Sequence, residues 1–369
     1  MKYYKLTDET ITIANGTILH RIECIEPIEQ FGIKVGDKGG WIEKEDNLSG
    51  NAWIRDNVKV YGNAEVYGDA LISDNVEISC NAKICGYATI FGNVTISGNA
   101  KIYGNAIIFG HAEVSGDVEI YGNVNIFGDA HIYGSAKIYD EAEISGSAHI
   151  FNNPRICGNA NIFGNTNVYG NARVYGNAWI YGNASVCDNA EVYDEARIGD
   201  YACIYGNAKV YGNAWIYNNA SVYGDAFIFC DAKVYGNSRI YDTAKVFGNA
   251  RIFDYAEVFG KAEIFDNSKV YGHSEVCGDA VISGNAKIQS IQDYIVFKNW
   301  WSSGRYFTWT KSNNMWRVGC FYGTGEKLIS KAYGNSETSG REYERVIKYV
   351  QSILEFDRIS KFVQSNIDI

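Results

Sequence analysis

From Asn51 to Ser290 the chain repeats every six residues, 40 times in succession, with no insertion or deletion. Such a chain cannot fold as an ordinary globular domain. No six-residue unit buries a core alone, so successive units must stack. The consensus is Asn-Ala-x-Ile/Val-Tyr/Phe-Gly. The fourth place is Ile or Val in all 40 hexads, the second is Ala in 30, the fifth is Tyr or Phe in 27 and the sixth is Gly in 26. Side chains alternate along a strand, so the second and fourth places share one face, and the pairing of a small with a branched residue marks it as inward. The third place then faces outward, and its mixture of Lys, Glu, Arg, Trp, His and Ser suits a wetted surface. Gly followed by Asn or Asp supplies the corner, because these residues best tolerate left-handed backbone. Each hexad is a short strand and a bend, and three of them close a triangular coil of 18 residues. The 40 hexads make about 13 coils, a prism on the order of 60 Å long at roughly 4.8 Å per coil.

Composition follows from this coil. Most of the 39 glycines serve corners, and proline is held to 2 because backbone N–H groups must pair between coils, with Pro154 as one local exception. Collagen is excluded, since glycine does not recur at every third residue. No run of 18 apolar residues exists, which predicts no transmembrane helix. The start, Met1-Lys2-Tyr3-Tyr4-Lys5, has no apolar core of a secretion signal. Nine cysteines, an odd number without a C-x-x-C pair, argue against a disulfide framework or zinc ribbon and fit a reducing cytoplasm. A net charge of −10 argues against a generally basic nucleic-acid binder.

The inward pattern, a small residue two places before an aliphatic one as in Ala64-Glu65-Val66, resembles the hexapeptide-repeat superfamily. That resemblance covers about two-thirds of the chain and implies a mainly β fold, a left-handed parallel β-helix. Lys38-Gly39-Gly40-Trp41-Ile42, Asn47-Leu48-Ser49 and Asn51-Ala52-Trp53-Ile54 resemble the entry segment of the YdcK-like branch, which is grouped with acetyltransferases. Similar Tyr-Gly-Asn-Ala proteins occur in bacterial and phage genomes. The superfamily implies acyl transfer from acetyl-coenzyme A as one expectation, and a trimer by analogy. It also supplies an objection: its acyltransferases typically carry their histidine on a loop extruded from a coil, and these 40 hexads have none.

The expected organisation is an N-terminal β cap over 1–50, the β-helix over 51–290 and a small α+β domain over 291–369. A cap is needed because open strand edges invite aggregation. Strands are expected at Thr10–Ile13, Ile18–Ile25, Asp293–Lys298, Tyr306–Thr310 and Met315–Phe321, and helices at Glu326–Tyr333 and Arg341–Phe356. Ser339 with Glu342 reads as a capping box.

Residues 18 apart are neighbours on adjacent coils, so outward residues fall into columns. Glu113, His131 and His149 form one, the candidate catalytic group, a ladder that could polarise a nucleophile or hold a metal, although a fourth coordinating group is missing and two solvated histidines give the same pattern. A second column runs Trp179, Arg197, Trp215, Lys233, Arg251, Lys269 and Lys287, cations interleaved with aromatics. It reads as an oligomer interface, a plain wetted face, or a surface for an elongated anionic polymer or glycan. The C-terminal cluster Trp300, Trp301, Trp309 and Trp316 is a further candidate for partner contact. Fifth-place rings such as Tyr175, Tyr193, Tyr211, Phe229, Phe247 and Phe265 should stack as ladders. Gly323-Thr324-Gly325-Glu326-Lys327 lacks the spacing of a phosphate loop and reads as a turn and cap. No metal site is expected. The leading functional expectation is a non-enzymatic scaffold or binding protein that engages a protein partner or itself, with a phage or mobile-element role acting on a host protein compatible with it. A coenzyme-A-dependent acyltransferase and a polyanion or glycan binder are the alternatives.

Overall fold

The computed structural model describes residues 3–367. Met1 and Lys2, read above with the N-terminal stretch, lie outside the described residues. The fold is mainly β: turns of parallel β-solenoid, a small antiparallel sheet and two helices. The chain divides into two compact units, 1–237 and 238–369. The division falls inside the hexad track, as it can in a solenoid whose coils touch only their neighbours.

In the first unit the strands Tyr4–Thr12 and Ile18–Cys24 form an antiparallel hairpin, the first beginning earlier than its sequence pattern suggests. The strand Lys38–Ile42 pairs antiparallel with the second and parallel with Lys59–Val60, converting a hairpin into the first coil. From Trp53 onward each hexad contributes its third and fourth places as a two-residue strand. Each strand pairs in parallel with the one a full coil later, as Glu77–Ile78 with Thr95–Ile96 and that strand with Glu113–Val114. Second and fourth places are sealed from solvent, as at Ala130, Ile132, Ala148 and Ile150. The sixth place is left-handed as far as Gly284, whether it holds Gly62 (φ 70°), Asp56 (φ 53°) or Cys80 (φ 62°), and turns extended only at Ser290, where the coil ends.

Hydrogen bonds run one way along the coils. N–H groups of the first, third and fifth places donate forward to the next coil, as Asn57 to Asp74, Lys59 to Val76 and Tyr61 to Ile78, each at 3.0 Å. The starting edge therefore offers bare carbonyls, and the N-terminal cap supplies donors: Trp41 to Val58 at 2.8 Å, Glu43 to Val60 at 3.1 Å and Ser49 to Val66 at 2.9 Å. Second-place N–H groups take no part in this ladder. Pro154 sits in such a place, so it interrupts nothing, and its carbonyl accepts from Lys137 at 2.9 Å.

One inward place is chemically mismatched. Thr166 is fully buried and its hydroxyl has no partner among the described residues. Valine fills the equivalent place at Val58, Val76 and Val94. Thr166→Val is expected to stabilise the protein by about 1 kcal/mol, because a buried unsatisfied hydroxyl is removed at nearly constant shape. Chemical denaturation checks it, and a destabilised variant would mean that the hydroxyl is satisfied.

The second unit repeats the same coil. Its parallel pairs include Arg239–Ile240 with Glu257–Val258 and Arg251–Ile252 with Lys269–Val270. Here the final coil presents N–H donors, so its cover must supply acceptors, and it does. Thr308 Oγ1 accepts from Val281 at 2.9 Å, Ser312 Oγ from Lys287 at 2.7 Å and Asp293 Oδ2 from Gln289 at 2.8 Å. These residues belong to or flank an antiparallel sheet of Tyr294–Lys298, Tyr306–Thr310, Met315–Val318 and Phe321–Gly323. The expected strand Met315–Phe321 is thus two strands, with left-handed Gly319 at the turn (φ 54°). Two helices follow, Gly325–Asn335 and Glu337–Ile367. The second extends beyond both expected ends: it begins before Gly340 and runs through it, and no proline or glycine interrupts it afterwards. Ser339 lies within the helix and is not its cap. Its N–H donates to Ser336 Oγ at 3.1 Å. Thr324 caps the first helix by accepting from Lys327 N.

Candidate functional site

Both outward columns form as the register requires. In the first, His131 pairs with Glu113 on one side and His149 on the other. His131 Nδ1 lies 3.1 Å from Glu113 Oε2, and the two imidazole rings stack with centroids 4.9 Å apart. The group is therefore contiguous, with a carboxylate positioned to orient one imidazole. It lies on a strand face, not on a loop: Glu113 is exposed and both histidines are half-buried. Among the described residues no group of three or more His, Cys, Asp or Glu side chains could hold a metal ion.

The second column, within the first unit, runs Trp179, Arg197, Trp215, Lys233 in parallel register. The Arg197 guanidinium lies 5.5 Å from the Trp179 ring centre and 5.1 Å from that of Trp215, and Lys233 Nζ lies 4.8 Å from the Trp215 ring. Each cation is thus held against an aromatic face while its charge stays available at the surface. Trp179 is 42% exposed and Trp215 36%. In the second unit Arg251, Lys269 and Lys287 occupy successive rungs, with Phe253 and Tyr271 stacked beside them at 5.0 Å.

Fifth-place rings build the edges. Tyr175, Tyr193 and Tyr211 stack at 4.8 Å, and Phe229 continues the ladder at 5.0 Å. Phe247 stacks on Phe265 at 4.7 Å in the second unit. Nearly all these rings are half-buried, so the ladders both cover the coil and line its corners. Where the ring is missing, a neighbour takes the room: a Cβ on Gly199 would lie 2.2 Å from Tyr181 Cζ. Burial, then the adjoining Tyr175 and Tyr211 phenols, pushes the Tyr193 phenol up to about 12. A hydrogen bond with the Cys157 thiol, then burial, does the same for Tyr139, and Cys187 acts likewise on Tyr169, each pushed up to about 12. An unfolded tyrosine ionises near about 10. The folded values are raised, so the ladder contribution is whole below about pH 10. It is lost as pH rises through the folded values, because the unfolded chain sheds its protons first. Melting temperature is expected to fall between about pH 10 and 12, with phenolate absorbance rising at unfolding. A flat stability profile across that window would contradict this.

The C-terminal tryptophans separate into two kinds. Trp309 and Trp316 are 1% and 2% exposed and sit in a core with Phe307, Leu328, Tyr343 and Ile347. They face each other across adjacent strands, on the side of the sheet that the helices cover. This corrects their candidacy as contact residues, since their rings are spent on the core. Trp301 packs edge-on against Tyr343 at 4.9 Å, while Trp300 is 74% exposed and is the one of the four that presents its ring outward.

Sequence reasoning missed a pair in the first unit, Arg21 and Arg55, which line one cavity. A signal was present: Arg55 is the only charged residue in any fifth place of the 40 hexads.

Residues 168–182, a stretch holding the end of one hexad and two complete ones, match the family model described as the YdcK β-solenoid repeat. No curated protein matches the chain. Fold and repeat together define a β-solenoid repeat protein. No helix of the described residues is long and apolar enough to cross a membrane.

Proposed function

We propose that this protein is a non-enzymatic β-solenoid scaffold whose regular outer faces bind a protein partner or a second copy of the chain. The observation that carries this reading is the Trp179–Arg197–Trp215–Lys233 column. It is a rigid, exposed row of aromatic faces and stacked cations on a strand face, and it offers a repeating contact surface in place of an enclosed pocket. Aromatic and Arg side chains are the residue types that dominate binding energy at protein interfaces. Trp300, exposed beside the C-terminal core, offers a second anchor.

Wild-type protein and the Arg197→Ala and Trp215→Ala variants, compared by affinity capture and by mass in solution, test this. Each substitution is expected to weaken partner capture or self-association at least tenfold, about 1.4 kcal/mol, as for an interface anchor. Unchanged capture and unchanged mass in both variants would reject the column as the contact surface.

A second reading is favoured by the same residues. Cations recurring between ring faces suit an elongated anionic polymer or glycan, and that mode predicts binding that falls steeply with salt. Acyl transfer on Glu113, His131 and His149, with acetyl-coenzyme A as donor, is the enzymatic alternative. It predicts thermal stabilisation by acetyl-coenzyme A that His131→Asn abolishes.

A further inference from the structure

We propose that the N-terminal cap holds a binding site for a small molecule bearing an oxyanion, carboxylate or phosphate, between Arg21 and Arg55. The two arginines come from different parts of the fold. Arg21 lies in the strand Ile18–Cys24, and Arg55 occupies the fifth place of the first hexad, where other hexads usually put a ring. Together with Phe31, Asp37, Lys38, Trp53 and Asp56 they line a cavity of about 390 Å³. That size falls within the range of small-molecule sites.

Both guanidiniums are fixed in place. Arg21 lies over the Trp41 ring with its Cζ 4.9 Å from the ring centre, and Arg55 Nη2 donates to the Phe31 carbonyl at 2.7 Å. Neither forms an ion pair among the described residues, and the Nε–H of each is buried without an acceptor. The cavity's other charged groups, Lys38, Asp37 and Asp56, are held by partners other than the two guanidiniums. Lys38 pairs with Glu9 at 2.8 Å, Asp37 Oδ2 accepts from Lys34 N at 2.8 Å and Asp56 Oδ2 accepts from Asp74 N at 3.3 Å. A guanidinium cannot shed its proton to relieve the burial. Two half-buried permanent cations therefore share one cavity whose two carboxylates, Asp37 and Asp56, pair with neither guanidinium among the described residues. Their planar forks match the geometry of carboxylate and phosphate oxygens, and their immobility lowers the entropy lost on binding.

Calorimetric titration of the full chain with inorganic phosphate and, separately, with acetate tests the proposal, each against sodium chloride at matched ionic strength. The expected result is saturable one-to-one binding of at least one anion, weakened at least tenfold by Arg21→Gln and by Arg55→Gln. Phosphate alone, acetate alone, or both would each support the site and would assign the group it prefers. Circular dichroism melting verifies folding of the variants. Should Arg55→Gln not fold, Arg55→Lys keeps the charge but not the fork and is expected to bind measurably more weakly. Absence of binding by either anion beyond the chloride control overturns the proposal, as does wild-type affinity in folded Arg21→Gln or Arg55→Lys protein.

Discussion

Ile126→Ala is expected to lower stability by about 2–5 kcal/mol, the range for emptying a fully buried branched side chain. Ile126 has no exposed surface and is a rung between Ile108 and Ile144 in one inward column. Removing it strips contacts from the coil before and the coil after, and the coil backbone cannot collapse into the gap while its ladder bonds hold. The neighbouring outward substitution, Asn125→Ala, is expected to change stability by under about 0.5 kcal/mol. Denaturant unfolding of the two variants therefore measures the alternation directly. Hydrogen exchange should place the loss in the adjoining coils, because a solenoid transmits strain mainly to its neighbours. Equal effects from the two substitutions would contradict the inward assignment of the fourth place.

The second large effect concerns the corners. Gly98 is left-handed (φ 72°), and a Cβ there would lie 2.5 Å from Gly116 N on the next coil. Gly98→Ala should cost about 1–2 kcal/mol for the left-handed backbone alone, and more for pushing the coils apart. Gly278→Ala meets the same backbone penalty (φ 65°) but nothing within 4 Å, so it should cost less. Natural corners without glycine show how the crowding is offset. Asp74, Asp140, Asp188 and Asp266 each accept, at 2.9–3.1 Å, the N–H of the glycine one coil on. Gly98→Asp should therefore be milder than Gly98→Ala, since its carboxylate can take the Gly116 N–H as a charge-assisted bond. Thermal melts of the three variants rank them. A Gly98→Asp variant less stable than Gly98→Ala would show that corner aspartates do not act through that bond.

The coil was legible because its determinants are local and repeated. Alternation at Ala130, His131 and Ile132 tells which side each residue faces, and unbroken spacing tells that His131 meets His149 and that Arg197 meets Trp179. The ends were less legible, because their contacts join residues that no period relates. That Trp309 is core depends on which face of a short sheet the helices cover, and that Trp300 is exposed follows from its place in the turn after Lys298. The helix start at Glu337 depends on Ser336, one residue among several capable caps. Thr308, Ser312 and Asp293 look like ordinary polar residues until the one-way hydrogen bonding of the coil shows that its last edge needs acceptors. Arg21 and Arg55 share a cavity only because a hairpin strand folds back over the first coil.

The scaffold reading rests on the Trp179–Lys233 column as the working surface, and one comparison tests it most directly. Affinity capture with the full chain, identified and quantified by mass spectrometry, would be run with Arg197→Ala/Trp215→Ala and with Glu113→Gln/His131→Asn. The scaffold account predicts that the first double variant loses the bound species or the self-associated form, while the second retains it. Retention by the first and loss by the second would contradict the account and move the function to the Glu113–His131–His149 ladder.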